Sequence, residues 1–285
     1  MHHNNLKILI IGDLFSKGGL LTLEKLLPEL KKSENIDFTI VNGENVVGIG
    51  GITMRYAKRI FKAGVNVITL GNHTFDNKDI TTIFQKKMNV IKPFNLEPKE
   101  NMKDLVKNAL INQPKNNNGS ILIEKDGIKY GVLNAIGRVF LDRLASTSPF
   151  EKIKQEIQDL KNRDADIIIL DFHAEATAEK KAMGHFLDGE LNAVVCTHTH
   201  VQTSDESILE HGTAYITDLG MTGPHDSVIG VKKSIIVRRF ANEERVRFEP
   251  SKKGYRLQGV IIEIDKESKV TQSIKRIDIA TDILK

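Results

Sequence analysis

At 285 residues, 40% of them hydrophobic, the chain can bury a sizeable core, and a net charge of +4 is too slight to argue for a nucleic-acid or membrane partner. Its single cysteine, Cys196, excludes an internal disulfide framework and fits a reducing, cytoplasmic compartment. No apolar run reaches transmembrane length and no leader pattern opens the chain, so a soluble protein is expected.

Residues 6–12 form a nearly continuous apolar run, the mark of a strand buried on both faces, and Asp13 ends it. Leucines at 23, 26, 27 and 30 give residues 20–32 a helical period. A second strand, 38–41, stops at Asn42-Gly43-Glu44-Asn45. A helix over 53–63, closed by Gly64, leads to a third strand, 65–70, which stops at Gly71-Asn72-His73. A helix over 78–88 precedes a polar stretch, and residues 112–119 carry the clearest loop signal. Residues 121–136 predict a hairpin turning at Asp126-Gly127.

Residues 151–163 and 176–186 predict helices. Residues 167–170 and 191–196 predict buried strands, ending at Asp171-Phe172-His173 and Thr197-His198-Thr199-His200. Strands over 213–217, 257–264 and 270–277 make the last third sheet-rich. Alternating strands and helices define an α/β fold, and the lack of a linker favours one domain over residues 1–285.

Five predicted strands thus finish on residues able to bind a metal: Asp13; Glu44 and Asn45; Asn72; His173; His198 and His200. Ligands of open α/β sheets bind beyond the carboxyl ends of the strands, so these side chains can converge although they are far apart in sequence. If the segment stays extended, His198 and His200 point to one side and can grip neighbouring metals. Each motif alone has a plainer explanation: surface histidines, an Asn72 turn, an Asp13 cap, a solvated Glu44. Their joint occurrence favours the metal site. Asp171 and Glu175 are further candidate ligands, and Asp171 could instead orient His173 or His198. Gly48, Gly50 and Gly51 fit a plain turn better than a nucleotide loop, and Thr74, Arg138 and His225 fit ordinary loop positions. Cys196 belongs to the core rather than to a nucleophile.

The order Asp, acidic motif, Gly-Asn-His, His, His-x-His resembles the calcineurin-like metallophosphoesterase superfamily. The segments IGDLFSKGG, VNGENVVGIGGIT, ITLGNHTFDNKDI, FHAEATAEKKAMGHFLDG, THTHVQT and YITDLGMTGPHDSVIGV resemble the YmdB-like branch, bacterial 2′,3′-cyclic-nucleotide 2′-phosphodiesterases. Phe15 stands where the superfamily's Asp-x-His has its histidine, and Asn42-Gly43-Glu44-Asn45 replaces Gly-Asp-x-x-Asp; both departures fit the narrower branch.

The resemblance implies a four-layer sandwich, two β-sheets flanked by helices, with the metal site at the carboxyl strand ends. It implies one metal held by Asp13, Glu44, Asn45 and His200, another by Glu44, Asn72, His173 and His198, and His73 as proton donor. It points to two iron ions, while nitrogen and oxygen donors alone equally admit manganese or zinc. The expected reaction is attack on phosphorus by a hydroxide held between the two metals, in line with the departing 2′ oxygen, giving a nucleoside 3′-phosphate. The rivals are a 3′,5′-cyclic nucleotide phosphodiesterase, a nucleotidase or a phosphoprotein phosphatase, all with the same chemistry. A slow nucleotide- or RNA-binding regulator is the rival from another class. The expected partner is a cyclic nucleotide or other phosphoester substrate, with a homo-oligomer left open.

Overall fold

The computed structural model describes residues 5–282 apart from 49, 99, 101–102, 105–107, 109–118, 142–146 and 244. Strand β1 (Asn5–Ile11) passes through Gly12 into the short β2 (Asp13–Leu14), followed by helix α1 (Ser16–Glu34) and β3 (Phe38–Asn42). Next come α2 (Met54–Lys62), β4 (Val67–Thr69), α3 (Asp79–Gln85) and β5 (Val90–Ile91). The hairpin of β6 (Ser120–Lys125) and β7 (Ile128–Ile136) leads to α4 (Pro149–Lys161), β8 (Ile167–His173), α5 (Thr177–Phe186) and β9 (Ala193–Thr197). The chain closes with β10 (Ser207–Ile208), β11 (Ala214–Ile216), β12 (Met221–Pro224), α6 (Lys233–Asn242), β13 (Tyr255–Asp265) and β14 (Thr271–Thr281).

Two sheets result. The first runs β2-β12-β13-β1-β3-β4-β5, with β14 also paired to β13. In it β1, β3, β4 and β5 are parallel, and β13 lies antiparallel to β1. The second runs β10-β11-β9-β8-β7-β6, parallel from β11 to β7 with antiparallel edges.

Strand periodicity assigns the layers. Leu6, Ile8 and Ile10 of β1 belong with Phe38, Ile40, Tyr130, Val132, Ile167 and Ile169 to the core between the sheets, where the Phe38 and Tyr130 rings stack at 4.1 Å. Leu9 and Ile11 point the other way, into Leu20, Leu23 and Leu27 of α1 and Ile60 of α2. Leu133, Ile168, Leu170 and Phe172 pack beneath α4 and α5 through Ile153, Ile157 and Met183. The order of layers is therefore helix, sheet, sheet, helix. Among the described residues no helix is long and apolar enough to cross a membrane.

Most expected elements are present with shifted ends. Asp126 and Gly127 both take left-handed angles (φ 52° and 78°), the requirement of the tight hairpin turn. Helix α1 starts at Ser16 rather than at residue 20 because Gly18 and Gly19 lie flat against β13 and β12. A Cβ on Gly19 would sit 2.2 Å from the Thr222 carbonyl oxygen, so close packing overrides the poor helix propensity of glycine. The helix expected over 78–88 ends at Gln85, and the supposed polar stretch after it contributes β5, paired with Ile68 and Thr69. Strand β8 continues to His173 because β7 and β9 pair with it to its last residue. Helix α6, not among the expected elements, interrupts the sheet-rich last third; its Ile235, Ile236 and Val237 favour a strand by residue type, yet among them only Ile236 is buried. Of the expected 112–119 loop, all but Gly119 lies outside the described residues.

Candidate metal centre

Parallel pairing puts the carboxyl ends of β1, β3 and β4 on one edge of the first sheet and those of β8 and β9 on one edge of the second. Asp171 joins the two edges. Its Oδ2 accepts from Asn42 Nδ2 at 3.1 Å and from Thr69 Oγ1 at 2.5 Å, both in the first sheet. Asn134 of β7 adds a second link, accepting from the Leu70 amide at 3.1 Å and donating to the Asp171 carbonyl at 3.2 Å. Asp171 also accepts from Thr197 Oγ1 at 2.8 Å, and that hydroxyl lies 2.9 Å from His173 Nδ1. It thus orients His173 through Thr197, which leaves the opposite ring nitrogen facing the strand ends.

Around His173 Nε2 stand Glu44 Oε1 at 3.0 Å, Asn72 Oδ1 at 2.9 Å and His198 Nδ1 at 3.0 Å. One proton on that nitrogen serves only one of these three neighbours, whereas a cation among them would engage every lone pair. Glu44, His173 and His198 offer donor atoms within 4.8 Å of one another, and Glu175 Oε2, 2.9 Å from His198 Nε2, holds that ring with Nδ1 inward. The space is tight. A Cβ on Gly71 would lie 2.4 Å from both Glu44 Oε2 and His173 Nε2, so only glycine fits beside these donors.

A second group adjoins the first through Glu44. Asp13 is wholly buried and its Oδ1 has no hydrogen-bond partner among the described residues, while Oδ2 accepts from the His198 amide at 3.1 Å. His200 Nε2 lies 3.8 Å from that orphaned oxygen, and its Nδ1 lies 3.0 Å from the Ile229 carbonyl. The carbonyl can only accept, so the proton sits on Nδ1 and Nε2 presents a lone pair. The Asn45 amide is 3.0 Å from Glu44 Oε1 and 3.2 Å from His200 Nε2; a half-turn of the amide presents its oxygen to the same point. A buried carboxylate with an unused oxygen, an aimed imidazole and an adjacent amide suit a divalent cation of borderline hardness. Both groups fit metals.

The condition under which strand alternation would put His198 and His200 on one side is not met: the segment does not stay extended. Strand β9 ends at Thr197, and His198 and His200 both take positive φ, 106° and 65°. They share a site because of these left-handed turns and not through strand alternation, a conformation that costs non-glycine residues about 1 to 3 kcal/mol each. Thr199 pins the bend. Its amide and hydroxyl donate to Asp218 Oδ2 at 3.1 and 2.8 Å, and Lys180 Nζ donates to the same oxygen at 2.7 Å. Lys180 and Asp218 are both buried. Sequence reading passed over this ion pair, although Asp218 follows a buried strand, β11, as the other candidates do.

His73 Nδ1 lies 2.7 Å from Asp76 Oδ2, and its backbone amide donates to Glu44 Oε2 at 3.0 Å. It lines a cleft of about 360 Å³ together with Glu44, Asn45, His198 and His200. Phe15, two residues after Asp13, meets the His200 ring edge-on at 5.6 Å. Gly51 turns at φ 77° against the His73 carbonyl, where a Cβ would come within 2.8 Å, so this glycine serves a close approach. Thr74, Arg138 and His225 are not among the residues lining the cleft. Burial pushes the Cys196 thiol well up, in keeping with a core residue.

Burial alone would lower the His173 pKa, but the charge and hydrogen bond of Glu44 hold it up at about 9. Burial likewise opposes the charge on Glu44, yet His173 and the His73 amide bring that carboxyl down to about 2. Burial raises Asp13 to about 6 and, with the His173 charge, lowers His198 to about 3. In metal-free protein the contribution of His173 is complete below its ordinary value of 6.5 and is lost as pH rises to about 9, because the unfolded chain gives up this proton first. Melting temperature in chelator should therefore fall across that window. A metal replaces the proton, so the stabilisation it brings should grow over the same range. Thermal melts from pH 6 to 9 with and without chelator check both trends; a flat chelator curve would exclude the ion pair.

The four-layer α/β/β/α fold with clustered metal donors at its carboxyl strand ends defines a metallophosphoesterase-type enzyme. Residues 9–277 match the model of the YmdB-like protein family, and the chain belongs to that family. It is 38% identical over 277 residues to a 2′,3′-cyclic-nucleotide 2′-phosphodiesterase of Bacillus subtilis, covering 97% of this chain and 98% of that one. A phosphatase crystal structure from Mycoplasma pneumoniae superposes with a TM-score of 0.86 at 34% identity, covering 98% of this chain and 94% of the other. A Thermus thermophilus protein gives 0.83 at 30%, covering 97% and 100%. The chain is accordingly a phosphoester hydrolase.

Proposed function

We propose that this enzyme hydrolyses 2′,3′-cyclic nucleotides to nucleoside 3′-phosphates at a two-metal centre, with residues 1–285 as one catalytic domain. The observation that carries the reading is the convergence of Glu44, Asn72, His173 and His198 donors on one point, next to the orphaned Asp13 oxygen and His200. The name of the Bacillus relative supplies the substrate class. Iron is the metal that the family resemblance implies, and the lone buried cysteine suits a reducing cytoplasm.

Asp13, Asn45 and His200 would hold one cation, Asn72, His173 and His198 the other, and Glu44 both. When bound, the cations supply positive charge for the phosphate oxygens and make water acidic enough to attack near neutral pH. Asp13 and Glu44 are the only carboxylates in this set, so two dications leave the centre net positive, which suits a diester whose transition state gains negative charge. Asp76 orients the His73 ring through Nδ1 and leaves Nε2 to donate a proton. The attacking water gives one proton to the solvent; as its oxygen bonds to phosphorus, the bond to the 2′ oxygen breaks and His73 protonates that oxygen, so the phosphate stays on the 3′ position.

Replacing His73 with alanine should lower kcat by about 10²- to 10⁴-fold with metal content unchanged. Unchanged turnover would remove His73 from the proton step. The assignment as a whole is tested by quantifying metals in purified protein and comparing hydrolysis of 2′,3′-cyclic AMP, 3′,5′-cyclic AMP and a phosphopeptide. Preference for 2′,3′-cyclic AMP with about two metals per chain is the expected result. Preference for phosphopeptide overturns the substrate, and metal-free active protein overturns the centre.

A further inference from the structure

The cleft has two unlike sides. One carries the candidate metal donors and His73; the other is apolar, with Phe15, Ile229, Val231, Ile236 and Phe248. The sides meet at Ile229, whose carbonyl faces His200 Nδ1 at 3.0 Å and which is 51% exposed as a residue. An apolar wall in contact with a candidate donor, His200, is suited to a nucleobase whose ribose phosphate sits among the donors.

Of the two aromatic members of that wall, Phe15 is buried and Phe248 is half-buried, so Phe248 is the one a ligand can reach. The Arg239 guanidinium from α6 stands 4.8 Å from its ring centre and covers one face, fixing the ring with a cation at its back. Of the other polar side chains lining the cleft, Thr199 Oγ1 donates to Asp218 and Glu175 is tied to His198 through Oε2. Thr199 has no proton left to donate and Glu175 keeps only Oε1, so among the described residues these two put no paired donor and acceptor at the edge of a base.

We propose that this wall is a base-stacking subsite with Phe248 as its platform, which grips any nucleobase by its face and discriminates little between purines and pyrimidines. The inference rests on the cyclic-nucleotide reading above and adds how the nucleoside is held. Stacking is tolerant of sequence because every base has a π face, whereas strong selection among bases needs donors and acceptors aimed at its edge.

The test compares the 2′,3′-cyclic phosphates of the four ribonucleosides with the base-free 2,3-cyclic phosphate of methyl riboside. For wild type, KM across the four bases should stay within about threefold, and the base-free compound should show a KM about tenfold or more higher. In Phe248→Leu, which keeps apolar volume but loses the ring, that nucleotide-to-base-free ratio should collapse toward one. Phe248→Trp should restore it. A strong preference for one base, or equal losses on both substrate types in Phe248→Leu, overturns the subsite.

Calorimetric titration of metal-loaded protein with adenosine 3′-phosphate and with ribose 3-phosphate reads the subsite without turnover. Tighter binding of the nucleotide that depends on Phe248 upholds it even if cyclic nucleotides are not hydrolysed, in which case the reaction assignment alone fails. Equal binding of the two compounds by wild type overturns it.

Discussion

Lys180→Ala should destabilise the protein by about 3 to 5 kcal/mol, among the largest effects expected of any single substitution in this chain. Lys180 Nζ donates to Asp218 Oδ2 at 2.7 Å with both side chains about 1% exposed, so removing the cation leaves a carboxylate without its counter-charge and out of reach of water. The pair was formed at a desolvation cost, and loss of one partner forfeits the compensation. Asp218 retains Thr199 and the Gly220 amide as donors, so folding should persist with the urea midpoint lowered and the slope unchanged. A second consequence separates this pair from a purely structural one. Asp218 holds Thr199 between His198 and His200, and a loosened bend lets both imidazoles drift. Metal affinity should fall about 10- to 100-fold in Asp218→Asn, measured by calorimetry at a temperature where the variant is folded. Wild-type stability in Lys180→Ala would show that water reaches Asp218.

Gly71→Ala should cost at least about 10²-fold in kcat/KM. The added methyl would lie 2.4 Å from Glu44 Oε2 and from His173 Cδ2 and Nε2, contacts that heavy atoms do not tolerate. Neither neighbour has room to give. Glu44 receives the His73 amide and Asn45, and His173 is held from behind by Thr197 and Asp171. The clash is relieved only by moving Glu44, His173 or the Gly71 backbone, and each movement separates donors of the same group. Metal stoichiometry should fall together with activity while circular dichroism stays native, because the disturbance lies at the strand ends and leaves the three layer cores intact. Full metal occupancy with wild-type kcat/KM would show that the donors of the working enzyme stand further apart than in this arrangement.

Much of this was legible in the chain because the signals are local. Apolar runs at 6–12, 167–170 and 191–196 can only be buried strands, Asp126-Gly127 can only turn tightly, and polar residues at five strand ends must gather if the strands are parallel and adjacent. The order of those residues also carried the resemblance to the YmdB-like family, since metal donors bring their spacing with them. Helix ends were read less well where packing overruled propensity, as at Gly18 and Gly19, and α6 went unseen because its Ile-Ile-Val run favours a strand.

What the chain order could not convey is how groups remote in sequence compensate one another. The period-two argument for His198 and His200 reached the right neighbours by the wrong geometry: positive φ at both residues turns them inward, and that strain persists because Asp218 and Lys180, from other elements, hold Thr199. Gly71 reads as a plain turn residue until His173 from the second sheet arrives beside it. Phe248 is one more phenylalanine until α6 lays Arg239 on its ring and Ile229 places the wall beside His200. Donor identity is a property of residue type and survives in one dimension; donor placement depends on burial, strain and charge pairing, which exist only once the two sheets have met.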